Sequence, residues 1–340
     1  MEMGEALVSA TSASSATDVA PAAQLRVAFV VGKFPATSEV FIINQIADLI
    51  DRGVHVEIFA FERNAPNCIS ARYDAYRMSE LTHYLAPSTS KLRRLVDAVP
   101  MFARLLRYRP RAAAGVLNFF QHGRAATSLR LLFGVSAFVG REFDLVHCHF
   151  GENAVRYLPI RTILAATTPL VTSFYGYDVS SIFKNFPATY YDRLKQEASL
   201  FYVMSEDMRR RVLAHGFRSE KLSLLPVSIN VDAHPFSERG VEPGSPVEIL
   251  AVGRLVEKKG FDDLLRALAL VRQRGARAFH CSIVGDGPLA ADLKRQCDDL
   301  GLGRVVRFLG AMANDDLIAL MTKTHLLVAP SKTASYGDME

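Results

Sequence analysis

The chain has 340 residues, of which 49% are hydrophobic and 22% charged, with a formal net charge of +5. That length accommodates two domains, and the balance of apolar and charged residues is that of a globular protein, not a disordered or collagen-like one. No apolar run is long enough to span a bilayer. The four cysteines, Cys68, Cys148, Cys281 and Cys297, are scattered with no C-x-x-C pair. This argues against a zinc site or a disulfide framework and for reduced thiols in the cytoplasm.

Residues 1–23 are rich in Ala, Ser and Thr, with no basic start and no continuous apolar core. They read as a disordered tail, not a signal peptide. Gln24 to Val31 then has the apolar content of a buried parallel strand. The loop GKFPATSE follows, and Val40 to Arg52 reads as a helix with Thr37 and Ser38 as candidate N-caps and Gly53 as its stop. Val54 to Phe61 is the next strand, which completes a βαβ opening whose first loop, with Gly32 and Glu39, should face a ligand cleft.

Residues 91–141 hold ten cations (Lys91, Arg93, Arg94, Arg104, Arg107, Arg109, Arg111, Arg124, Arg130, Arg141) against one acid, Asp97. The rest of the chain is therefore net acidic. Apolar residues interleave with the arginines at helical spacing, the pattern of a basic amphipathic helix that lies on an anionic membrane surface. Nucleic acid would also be drawn to such charge, but the chain carries no recognised nucleic-acid motif and that partner is not expected.

Phe143 to Cys148 reads as a strand, followed by a helix from Glu152 to Ala166. His147 and His149 are two apart and share one face of that strand. They could be a metal pair, hydrogen-bonded structural residues, or cleft residues; no third ligand is evident. The turn after the next strand contains Tyr175, Gly176 and Asp178, and Asp178 could bind an acceptor hydroxyl or cap the turn. Ser205 is an N-cap candidate that could also line the cleft. Residues 234–246 form a Pro/Gly-rich linker, so we divide the chain into a tail at 1–23, a first Rossmann-like domain at 24–233, the linker, and a second Rossmann-like domain at 247–340.

The second domain opens with VEILAV, GRLVEKKG and a helical pattern, then FHCSIV and GDGP. The first loop places Arg254 and Lys259 between a strand end and a helix start, where backbone N–H groups and the helix dipole already favour an anion. Gly253, Gly260, Gly285 and Gly287 allow tight turns and close approach of backbone to ligand. Solvated charges on ordinary turns are the plain alternative. The loop lacks the G-K-[ST] of a Walker A motif, and GDGP is not a complete G-x-G-x-x-G.

GRLVEKKG, VGDGP and the late VAPSKTASYGDME, in that order, resemble the donor-binding half of family-four retaining glycosyltransferases with the GT-B fold. FPATSEVFIINQI and FDLVHCHF resemble the opening half of a bacterial branch that builds exopolysaccharides, of the colanic-acid type. The resemblance implies two Rossmann-like domains facing across a cleft, with the second incomplete. It also implies transfer of a hexose from a nucleotide diphosphate sugar to a hydroxyl of a glycan or lipid-linked acceptor, with retention. It places His149 and Glu340 at the donor sugar, Gly32, Gly253, Arg254, Lys259 and Gly285 at the donor diphosphate, and Glu39, Asp178 and Ser205 along the cleft. Relatives carry a histidine where this chain has Tyr175, and a glycine where it has Ser228. No metal or other cofactor is implied. The expected location is the cytoplasm, peripheral on the inner face of the plasma membrane. Because the second motif glutamate would fall after Glu340, the chain is expected to be a fragment of low activity, with Leu326, Leu327 and Val328 short of cover. The rival readings are a nicotinamide-dependent oxidoreductase on the same architecture and an inert nucleotide-sugar-binding fragment.

Overall fold

The computed structural model describes residues 24–64, 70–227, 229, 231, 236, 238–275 and 277–338. The tail, Cys68, Ser228, most of the start of the linker, and Glu340 lie outside the described residues.

Two parallel sheets organise the chain. The first contains β1 (Arg26–Phe34), β2 (His55–Arg63), β3 (Thr82–Tyr84), β4 (Leu145–His149), β5 (Leu170–Ser173), β6 (Leu200–Val203) and β7 (Leu222–Leu224). Their spatial order is β3-β2-β1-β4-β5-β6-β7. The second contains β8 (Val247–Val252), β9 (Phe279–Val284), β10 (Val306–Gly310) and β11 (Leu326–Leu327), in the order β10-β9-β8-β11. Both orders reverse direction beside the first strand of their sheet, between β1 and β4 and between β8 and β11. Ligands in open α/β sheets bind outside the carboxyl ends of the strands at such reversals.

The inner strands β1, β4 and β5 are apolar on both faces because both faces are covered. Val27, Phe29 and Val31 enter one core, while Ala28 and Val30 enter the other. Ile42, Ile43 and Ile46 of the Val40–Asp51 helix seal the first core, and Ala154, Tyr157 and Leu158 of the Gly151–Leu164 helix help seal the second. In the other sheet, Ala251 and Ile283 pack with Leu264, Leu265 and Leu268 of the Phe261–Gln273 helix.

Several boundaries move. β1 runs three residues further than its apolar run predicts, so Gly32 is a strand residue and not part of the loop. The pairing of Lys33 with Glu62 and of Phe34 with Arg63 in the ladder holds this extension straight. Thr37–Glu39 is a 3-10 turn, and the residue before the first helix is Glu39, with no side-chain cap from Ser38. β4 ends on His149 itself. The proline of GDGP does not begin the next helix, which starts at Ala290.

Residues 91–127 fold as a run of helices, the longest being Lys91–Tyr108. No helix among the described residues is long and apolar enough to cross a membrane. Leu326 and Leu327 are each about half exposed. Beside them lies a cavity of about 360 Å³ lined by Phe236, Arg239, Leu250, Met321, His325 and Leu327. It includes none of the loop residues that follow β8 and β9.

Candidate functional site

The site is built from loops at the carboxyl ends of the strands. After β8 the backbone crosses to the loop after β9: Gly253 N–H donates to Val284 O at 3.0 Å, and Leu255 N–H to Asp286 O at 2.9 Å. A side chain on Gly285 would put its Cβ 1.8 Å from Gly253 O, and the residue sits at φ +141°. Only glycine fits that crossing. At Gly260, φ is +67° and a Cβ would meet Pro330 O at 2.0 Å, so the end of the same loop is pressed against the segment after β11.

Arg254 is exposed, and its side chain makes no hydrogen bond or ion pair among the described residues. The stem of Lys259 lies across the loop, with its Cδ 3.3 Å from where a Cβ on Gly253 would be. The helix that starts at Phe261 adds the positive end of its dipole. Gly253, Arg254, Lys259 and Gly285 are therefore gathered at one sheet edge, in an arrangement suited to an anion with several oxygens.

The residues after Val328 close over this turn. Lys332 N–H donates to Lys258 O at 2.8 Å, and its Nζ reaches both carboxylate oxygens of Asp262 at 2.7 Å. Ser335 binds Glu257 through its N–H at 2.8 Å and its hydroxyl at 2.9 Å. Lys258 is buried and pairs with Asp338 at 3.2 Å, and the same carboxylate accepts from the Ser180 hydroxyl, which belongs to the first sheet's side. The sequence reading passed over Lys258, Asp338 and Ser180. The only signal was a second lysine in EKKG, and nothing in the spacing pairs it with a residue eighty positions later.

Glu39 stands opposite, at the head of the first helix. Burial pushes its carboxyl up to about 7, against the pull of the nearby Arg254 guanidinium. The two residues are thus within electrostatic reach of each other, without an ion pair between them.

His149 and Asp178 are both fully buried. The His149 ring stacks on Phe29 at 5.1 Å and its Nδ1 is hydrogen bonded to the Tyr175 hydroxyl at 2.8 Å. Burial, with His147 beside it, depresses its pKa well below the ordinary value, so the imidazole is neutral. Its Nε2 is buried without a partner. His147 is engaged with the Ser173 hydroxyl at 2.8 Å, and burial lowers its pKa to about 4. Among the described residues no group of three or more His, Cys, Asp or Glu could hold a metal ion.

Asp178 does not line the cleft. Its carboxylate accepts from the backbone N–H of Tyr175 and of Gly151, both at 2.8 Å, and it is fully buried. It ties the turn after β5 to the start of the helix after β4, and burial raises its pKa to about 7 against those two bonds. Ser205 caps the Glu206–Ala214 helix, accepting from Met208 N–H at 3.2 Å. Gly32 makes room for Asn153, whose Nδ2 would lie 3.3 Å from a Cβ there and which donates to His149 O at 2.8 Å. Glu340 lies outside the described residues.

Comparison with known proteins agrees with this architecture. Residues 38–228, more than half of the chain, match the glycosyl transferase 4-like domain, and residues 234–338 match the glycosyl transferases group 1 family. The amylovoran biosynthesis glycosyltransferase AmsK of Erwinia amylovora is 30% identical over 329 residues, covering 93% of this chain and 78% of AmsK. WcaL of Salmonella typhimurium, named for colanic acid biosynthesis, is 28% identical over 326 residues with the same coverage. Among solved structures, Anabaena HepE in complex with UDP and glucose superposes with a TM-score of 0.59 at 18% identity, covering 92% of this chain and 75% of HepE. The two Rossmann-like sheets are those of the GT-B fold, and the chain belongs to the family-four glycosyltransferases, on the branch that includes exopolysaccharide biosynthesis enzymes.

Proposed function

We propose that this protein transfers a hexose from a nucleotide diphosphate sugar to a hydroxyl of a lipid-linked glycan, with retention at the anomeric carbon. The observation that carries the reading is the meeting of the Arg254–Lys259 loop with the Gly285 loop at the reversal of the second sheet. When the bond from the anomeric carbon to the phosphate oxygen breaks, negative charge grows on the diphosphate. Arg254 can take two of its oxygens in a planar fork, Lys259 adds a point charge, and the Phe261 helix dipole points the same way. In this reading, side-chain cations do the neutralising that a divalent metal does elsewhere.

Further support comes from relatives. HepE is solved with UDP and glucose, and AmsK and WcaL are named for exopolysaccharides. The buried His149 then acts through Tyr175, whose ring it supports, and Glu39 lies on the acceptor side of the diphosphate. A lipid-linked acceptor would bring the protein to the cytoplasmic face of a membrane.

A panel of nucleoside diphosphates, their sugars and NAD, read by melting temperature, tests the donor class. At least one nucleoside diphosphate should stabilise the protein and NAD should not. Stabilisation by NAD alone would place the chain with the dehydrogenases. Incubation of the stabilising nucleotide sugar with lipid-linked glycan, followed by NMR of the product's anomeric centre, tests retention.

A further inference from the structure

The Lys91–Tyr108 helix has two apolar faces, and the fold uses one. Ala98 and Leu105 are buried, with Met101 and Phe102 packed beside them on the core. Leu92, Leu95, Val96, Val99 and Leu106 are each more than half exposed. Their spacings of three, four and seven place them on one continuous stripe along the helix. Scattered single exposed leucines need no explanation, but a stripe of five on one helix does.

The surrounding charge is as one-sided as the stripe. Arg93, Arg104, Arg107, Arg109 and Arg111 are exposed, and none has an ion pair among the described residues. Several surface arginines elsewhere are paired with acids, as Arg211 is with Asp207, Arg266 with Asp262 and Arg295 with Asp292. Beyond the following Pro110–Val116 helix, the chain exposes Phe120 completely and Phe119 by about half.

From these observations we infer that the outer stripe of the Lys91–Tyr108 helix is a docking surface for an anionic lipid bilayer. The apolar side chains enter the acyl boundary while the arginines remain at the level of the phosphates. A polar protein partner would not cover the stripe, and an apolar one would leave the arginines without counter-charge. A bilayer with anionic headgroups satisfies both. The helix lies parallel to the surface, as the charges along its length and the buried inner face require. The inference stands on this face of the helix alone and holds whichever sugar the site transfers.

Flotation of the whole chain with vesicles tests it. The vesicles are phosphatidylcholine alone, or phosphatidylcholine with about one-third phosphatidylglycerol. The protein should float with the anionic vesicles only, and raising the salt from about 0.1 M to about 0.5 M should weaken binding. Leu95→Glu with Val99→Glu should reduce binding at least about tenfold, and so should Arg104→Glu with Arg107→Glu. These side chains are exposed, so melting temperature and nucleoside diphosphate binding should be unchanged, which separates this outcome from failure of the donor-site reading. Equal binding to neutral vesicles, no binding to either, or full binding by both variants would overturn the inference. So would a dimer in solution that Leu95→Glu dissociates, or retention on RNA in place of vesicles.

Discussion

Lys258 Nζ lies 3.2 Å from Asp338 Oδ2, and both side chains are over nine-tenths buried. Asp338 also accepts from Ser180 Oγ at 3.1 Å, so one carboxylate ties the Glu257–Lys259 turn to the short helices that follow β5. Removing one partner of a buried ion pair is destabilising. Asp338→Ala should cost about 3 kcal/mol in denaturant unfolding, a typical figure for such a loss. Asp338→Asn, which keeps one acceptor for Ser180, should cost less. If Asp338→Ala unfolds at the parent's midpoint, the pair is not holding the two halves together.

Glu39 supplies a pH test. Its folded pKa is raised from 4.5 to about 7, so between those values the folded protein binds more protons than the unfolded chain. The stability that Glu39 contributes is complete below about 4.5 and is lost as pH rises through about 7. The loss should be about 1–3 kcal/mol, and Glu39→Gln should remove most of that slope. Asp178, raised for the same reason, leaves a residual slope of the same sign. A Glu39→Gln profile that parallels the parent across this range would contradict the burial of this carboxyl beside Arg254.

Tyr175 carries a stability prediction that a surface residue would not. Tyr175→Phe removes the hydroxyl that partners His149 Nδ1, and the Nε2 atom is already unpartnered. The buried imidazole would then have neither nitrogen satisfied, at a cost of about 1–3 kcal/mol. Tyr175→His, which restores the residue of the relatives, should recover part of the loss. Chemical denaturation of the three proteins measures both effects.

The contrast between the two halves of the site shows what can be read from residues in order. The Val247 strand, its glycine-bounded loop and the helix from Phe261 are all local features, and the apolar run and glycines mark them. Apolar spacing likewise marks the Lys91–Tyr108 helix, but it does not say which stripe the core takes. That depends on the packing of Ala98 and Leu105 against later helices. The partnership of His149 with Tyr175 depends on the register that sets His149 beside Ser173. The electrostatic influence of Arg254 on Glu39 spans two different sheets, and no pattern within either segment encodes it. Asp178 was open between two roles because both need the same residue type at the same turn. In the fold its carboxylate accepts from Gly151 N–H, a bond between two segments that the turn's own residues do not reveal.

Gly285 tests the loop crossing by substitution. Gly285→Ala places a Cβ where Gly253 O already is and demands a left-handed φ. The loops must separate, at a local cost of about 2–4 kcal/mol. Nucleoside diphosphate binding should be lost while the first sheet, whose core is separate, keeps its far-UV signal. Unchanged nucleotide affinity in this variant would mean the crossing does not form the anion site.

The most direct measurement is titration calorimetry of the parent and Arg254→Ala with the nucleoside diphosphate that stabilises best, alongside the nucleoside without phosphates. Arg254→Ala should weaken diphosphate binding by about 1.5–3 kcal/mol, the worth of hydrogen bonds to a charged group. The nucleoside should bind both proteins equally. If the diphosphate binds Arg254→Ala as tightly as it binds the parent, the loop after β8 is not the donor site.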